Sequence, residues 1–177
     1  MKKCKIIALI LSVCMILSAC SVHNSDSTNA TLLRIHIRAN SNDECDQAVK
    51  LKVRDEINEY LSNKLDGVKD FEKAYSIVKE SLGEIENQAR EKLEAEGFLY
   101  GARARLINEY FPTRAYQSVV VDSGYYDALI VELGDGKGDN WWCVIYPPLC
   151  FVEAEKSDGF SYRSKIKELW DRYLKKK

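Results

Sequence analysis

Residues 31–43 read Thr-Leu-Leu-Arg-Ile-His-Ile-Arg-Ala-Asn-Ser-Asn-Asp. Leu33, Ile35, Ile37 and Ala39 alternate with Arg34, His36 and Arg38. A period of two predicts a strand over 31–39 with one core face and one polar face. Asn40 to Asp43 is a run of turn and capping residues, so the strand stops there and a helix starts. Val49, Val53, Ile57, Tyr60, Leu61 and Leu65 then recur at helical spacing, predicting a helix over about 43–65 that Gly67 ends. A second helix is expected over about 69–96. Its stripe is Phe71, Ala74, Tyr75, Val78, Leu82, Ile85, Ala89 and Leu93, interrupted by Gly83 and closed by Gly97. A short joint between two amphipathic helices makes them an antiparallel pair.

After Phe98 the period returns to two. Residues 100–110 form an expected strand that Phe111-Pro112-Thr113 ends, and 118–121 a short one. Residues 126–133 form a further strand. The Gly134–Asn140 loop joins it to a strand beginning at Trp141, most simply as an antiparallel hairpin. A last helix starts at Ser161, with Ile166, Leu169, Trp170, Tyr173 and Leu174 on one side. The order β-α-α-β-β-β-α predicts an α+β domain. Its expected form is a mostly antiparallel sheet of about four strands, two long antiparallel helices on one face, and a C-terminal helix.

Residues 140–151, Asn-Trp-Trp-Cys-Val-Ile-Tyr-Pro-Pro-Leu-Cys-Phe, are the densest in unusual residues. Neighbouring residues of a strand point to opposite faces. One of Trp141 and Trp142 therefore enters the core, and the other meets water, a covering element or a partner. Cys143 and Cys150 lie nearly symmetrically about Pro147-Pro148. Two readings stand: a disulfide closed across that corner, or two buried thiols acting as small hydrophobes.

The amino-terminal residues speak to compartment. Lys2, Lys3 and Lys5 precede an apolar run from Ile6 to Ala19, of signal-peptide length and too short to span a bilayer comfortably. The run ends Leu17-Ser18-Ala19-Cys20, the pattern of bacterial lipoprotein processing. Residues 1–19 are expected to be a signal peptide, Cys20 the site of lipidation, and 20–30 a flexible tether. Residues 31–177 form one domain. The chain carries a net charge of −1, and loss of 1–19 with its three lysines leaves −4. That balance does not favour nucleic acid.

No motif for a hydrolase nucleophile, a zinc site, a phosphate loop or a calcium loop is present. No metal, cofactor or small-molecule substrate is expected. Arg34, His36 and Asn40 on the polar side of the first strand, with Trp141 and Trp142, are the candidates for partner binding, because arginine and tryptophan concentrate binding energy at interfaces. Against this stand an ordinary solvated sheet face and, for either tryptophan, core burial. An envelope hydrolase using His36 and a purely structural lipoprotein remain rival readings.

Three blocks carry a family resemblance: Arg34–Asn42 (Arg-Ile-His-Ile-Arg-Ala-Asn-Ser-Asn), Asp46–Asp55 (Asp-Gln-Ala-Val-Lys-Leu-Lys-Val-Arg-Asp), and Gly134–Phe151 with its two tryptophans and two prolines. Together they resemble the stage II sporulation protein R family of endospore-forming Firmicutes, over about residues 31–152. The resemblance implies a developmental signal, not an enzyme. Such proteins are made in the forespore and exported into the intermembrane space. There they trigger a membrane-embedded aspartic protease of the mother cell, which removes the pro-sequence of a sigma factor. Family members are described as secreted, whereas Cys20 predicts a lipid anchor here.

Overall fold

A computed structural model of the chain describes residues 32–116 and 119–149. The expected signal peptide at 1–19, the tether at 20–30 with Cys20, the residue Cys150 and the expected helix from Ser161 lie outside the described residues.

The elements are β1 (Leu33–Arg38), α1 (Glu44–Leu65), α2 (Phe71–Glu80), α3 (Leu82–Ala95), β2 (Ala102–Phe111), β3 (Arg114–Tyr116), β4 (Val119–Val121), β5 (Gly124–Leu133) and β6 (Asn140–Tyr146). The helical stripes do what their spacing predicts. Val49, Val53, Ile57, Leu61 and Leu65 of α1 are buried, as are Ala74, Val78, Ile85, Ala89 and Leu93 of α2 and α3. The expected single second helix is two. The break falls at Ser81, whose N–H donates to the carbonyls of both Ile77 and Val78. Ser81 then accepts from the Ile85 N–H to start α3. The apolar stripe continues across the break, which is why periodicity did not reveal it. Asp70 caps α2 by accepting from the Lys73 N–H.

The domain is α+β, and its main sheet has the order β2-β5-β1-β6. β2–β5 and β1–β6 are antiparallel, and β1–β5 is parallel. The expected hairpin between 126–133 and the Trp141 strand is corrected by this order, since β1 lies between β5 and β6. The physical reason is burial on both faces: Leu33 to Ile37 are all buried, so β1 must be a central strand. The 134–139 connection therefore crosses over the end of β1. It is held there by Gly138 N–H to the Ala39 carbonyl (2.9 Å) and Lys137 N–H to the Asn40 carbonyl (3.2 Å).

The helices cover one face of the sheet, where Leu33, Ile35 and Ile37 meet Leu129, Val131, Cys143 and Ile145. On the other face lies a second, smaller core. Leu32, Phe111, Tyr126, Ala128, Ile130, Val144 and Leu149 form it, with Val119 and Val121 of the β3–β4 ribbon laid on top. That ribbon is an insertion at the tip of the β2–β5 hairpin. Its strands pair with each other and do not join the main sheet. The expected polar face is present, but the rival reading of it as an ordinary solvated sheet face is corrected at Arg34 and His36, which are buried. The side chains are polar, but Arg34 is covered by Phe111, Tyr126 and Tyr116 and His36 by Phe111 and Trp142, while Arg38 stays partly exposed.

Candidate functional site

The candidate site is the sheet face turned away from the helices. Period two places Arg34, His36 and Arg38 of β1 there, beside Asn140 and Trp142 of β6 and Glu109 and Phe111 of β2. Arg34 has no exposed surface. Its guanidinium lies 4.2 Å from the Phe111 ring centroid, 4.9 Å from that of Tyr126 and 6.0 Å from that of Tyr116. One terminal nitrogen donates to the Tyr116 hydroxyl at 2.8 Å. Burial holds its pKa below the usual guanidinium value, against the favourable contact with Tyr116.

His36 is equally enclosed, at 1 % exposure. Its ring stacks on Trp142 with centroids 3.9 Å apart and meets the edge of Phe111 at 5.9 Å. Arg38 Nε donates to His36 Nε2 at 3.1 Å. A guanidinium can only donate, so Nε2 carries the lone pair and Nδ1 the proton. Nδ1 donates in turn to Glu109 Oε2 at 3.2 Å. Both ring nitrogens are therefore occupied, and the imidazole is a neutral strut between two charged neighbours. Arg38 also bonds the other Glu109 oxygen and Glu132 Oε1, the latter at 2.9 Å. Arg105 closes the chain on Glu132 Oε2 at 2.6 Å. Three strands are tied across one face by this network.

Burial pushes the His36 pKa below its ordinary 6.5, and the charge of Arg38 adds to the effect, against opposing contributions from Asn140 and Glu109. The sign of the linkage follows. A base that is harder to protonate when folded contributes stability in full above about 6.5. That contribution is lost as pH falls from there through the folded value. Denaturant unfolding followed between pH 7.5 and 5 is expected to show a decline that His36→Gln removes. Equal slopes for the two proteins would count against this arrangement.

Not every candidate gathers here. Asn40 sits at the end of β1 as a latch. Its amide donates to Asp46 Oδ2 at 2.8 Å, and its oxygen accepts from the Asp135 N–H at 2.9 Å. Asp46, in the first turn of α1, is buried and also accepts from the Tyr100 hydroxyl at 2.6 Å. Burial alone would raise its pKa. The bonds from Tyr100, Ser41 and Asn40 outweigh it and hold the carboxyl below its usual range. The Tyr100 hydroxyl is pushed up, by burial first and by Asp46 second. Nearby, Asn42 accepts from the Asp139 N–H at 2.6 Å and Lys50 donates to the Asp139 carbonyl at 2.9 Å. The three sequence blocks of the resemblance thus meet at one corner, and much of their chemistry holds the crossing loop.

Trp141 points to the helix side and packs on the main core, with the Arg54 guanidinium 5.5 Å from its centroid. Trp142 points to the candidate face. Each is half-buried. Cys143 is disulfide-bonded, and Cys150, one of the two cysteines for which the sequence leaves a bond and two buried thiols both open, lies outside the described residues. Sequence reasoning missed Phe111, Tyr126, Glu109 and Glu132. The alternation Arg103, Arg105, Ile107, Glu109, Phe111 along β2 was the available signal. Among the described residues no cluster of side chains has the make-up of a metal site, and no helix is long and apolar enough to cross a membrane.

Comparison with known proteins agrees with the three blocks. The family model of stage II sporulation protein R matches residues 29–156. Stage II sporulation protein R of Bacillus subtilis (strain 168) is 34 % identical over 145 residues, which are 82 % of this chain and 62 % of that protein. The match therefore spans under two thirds of the relative's length. No solved structure matches the chain. With a family match over nearly the whole described domain, and an identity of this size across it, this chain belongs to the stage II sporulation protein R family.

Proposed function

We propose that this chain is an exported sporulation signal. It leaves the forespore, folds in the intermembrane space and switches on a membrane-embedded aspartic protease of the mother cell, which then cleaves the sigma factor precursor. The observation that carries this reading is the family membership over residues 29–156. An activator shifts its receptor only by binding one state better than the other. The half-buried Trp142, the exposed Asn140 and the charged network beside them supply a rigid patch for such binding. Arg34 and His36 shape that patch from beneath. Asn40 holds the crossing loop, and Trp141 anchors β6 to the helices. Cys20 carries lipid in this scheme, and the anchor with its tether raises the effective concentration of the domain at the opposite membrane.

The hydrolase reading is disfavoured by His36, whose two nitrogens are engaged and whose ring is enclosed. Co-expression of this chain, the protease and the precursor in a host that does not sporulate tests the proposal. Cleavage is expected only when all three are present. A fatty-acid analogue fed to the same cells is expected to label the wild type but not Cys20→Ala. Cleavage without this chain defeats the signalling proposal, and label that survives Cys20→Ala defeats the anchor.

A further inference from the structure

β2 is an outer strand of the main sheet, and among the described residues it pairs only with β5. Its register runs unbroken from Ala102 opposite Leu133 to Phe111 opposite Gly124, so no bulge twists the edge away. It carries neither lysine nor proline, residues that commonly keep such an edge from pairing. Its first half is shielded all the same. The Ala104 N–H donates to Glu86 Oε2 of α3 at 3.1 Å. Successive residues of an antiparallel strand turn their backbone groups to opposite sides. With Ala104 facing outward, Leu106, Asn108 and Tyr110 face outward too. Among the described residues nothing pairs with their backbone groups.

This open half has a self-complementary sequence. Arg105-Leu106-Ile107-Asn108-Glu109 sets a cation and an anion at equal distances on either side of Ile107. The side chains of Arg105, Ile107 and Glu109 share the sheet face turned away from the helices. Ile107 is exposed there, and so is Arg105. Arg105 bonds Glu132 through one terminal nitrogen and leaves its other donors unused. Glu109 contacts Arg38 and His36 with one oxygen each, and a carboxylate oxygen can accept more than once.

We propose that β2 is a self-association edge, on which two copies of this chain pair antiparallel about Ile107. Leu106 then stands opposite Asn108 of the second copy, and the reverse, which makes about four backbone hydrogen bonds. Ile107 meets Ile107 of the second copy. Arg105 meets Glu109 of the second copy on both sides of the axis, at positions where opposed side chains approach closest. Other centres fit worse. Asn108 as centre opposes Ile107 to Glu109, and Leu106 as centre needs the Ala104 N–H that Glu86 already holds. The strand of another protein would use the same backbone groups but gives no reason for the mirrored charges. A two-fold pairing closes on itself, joining the two sheets and leaving β6 at either end. So short a contact falls below a standard interface, so the dimer is weak and forms with concentration.

The test uses the full chain in detergent, carrying Cys4→Ser, Cys14→Ser, Cys20→Ser and Cys45→Ser. Its sedimentation is expected to pass from monomer to dimer as concentration rises through roughly the micromolar to millimolar range. Opposed residues at the axis lie about 4.5 Å apart at Cα, within disulfide reach. Ile107→Cys is therefore expected to give a dimer-sized disulfide product in a glutathione redox buffer. Arg103→Cys, far from the axis, is expected to give at least tenfold less. Ile107→Lys sets two like charges face to face. It is expected to weaken the dimer at least tenfold with little change in the unfolding midpoint, since Ile107 is exposed. Arg105→Gln is expected to weaken it several-fold. A protein that stays monomeric throughout overturns the proposal and leaves the edge to another occupant. Equal cross-linking at Arg103→Cys overturns it as well, and so does a dimer that Ile107→Lys leaves intact.

Discussion

Gly138→Ala is expected to destabilise the domain by roughly 3 kcal/mol or more, the upper range for forcing an atom into filled space. A Cβ on Gly138 would lie 2.1 Å from the Ser41 carbonyl oxygen and 2.9 Å from the Ala39 Cβ. Neither neighbour is the free end of a flexible side chain, so the crossing loop itself must move. That movement breaks the Gly138 N–H bond to Ala39 and carries β6 with it. Trp142 then leaves the His36 ring, so on the proposed reading loss of signalling should accompany loss of stability. Gly83→Ala is the internal control. A Cβ there meets nothing within 4 Å, and the position is helical. Alanine should stabilise by up to about 1 kcal/mol at such a site. Urea unfolding of the two variants should move the midpoint in opposite directions, and coincident midpoints would refute the close approach.

Asp46→Ala is expected to cost roughly 3–5 kcal/mol. Hydrogen bonds to an ionised group contribute about 1.5–3 kcal/mol each, and the partners left behind are themselves enclosed. Tyr100 and Asn40 both lose their acceptor, and Asn40 loses the brace that aims its oxygen at the Asp135 N–H. A double-mutant cycle with Tyr100→Phe should show strong coupling, because the two side chains share one bond. Simple additivity would refute the latch. The pH dependence runs with the depressed carboxyl. The contribution of Asp46 is fully present above its ordinary 3.8 and is lost as pH falls through the lower folded value. This separates it from His36, whose contribution begins to fade near 6.5.

Both predictions concern residues whose importance is invisible to periodicity. Gly138 sits in a loop that composition alone describes as a long connection. Asp46 looks like an acidic residue of a helix first turn, suited to the helix dipole. The role of each arises because the 134–139 segment crosses the end of β1, and that crossing follows from which strand lies in the middle of the sheet.

The local sequence determined β1 from its alternation, α1 from its apolar stripe, the continuous stripe of α2 and α3, and the opposite facing of Trp141 and Trp142. These are properties of side-chain spacing on one element, and periods of 2 and 3.6 express them directly. The three motif blocks determined the family. The tertiary structure alone decided the strand order β2-β5-β1-β6, the burial of Arg34 against Phe111, Tyr126 and Tyr116 and of His36 against Phe111 and Trp142, and the use of Asn40 as a latch. The reason is physical. Alternation says which side chains share a face, but the neighbours that cover that face come from residues some seventy to a hundred positions away, such as Glu109, Phe111 and Glu132, and only folding brings them there.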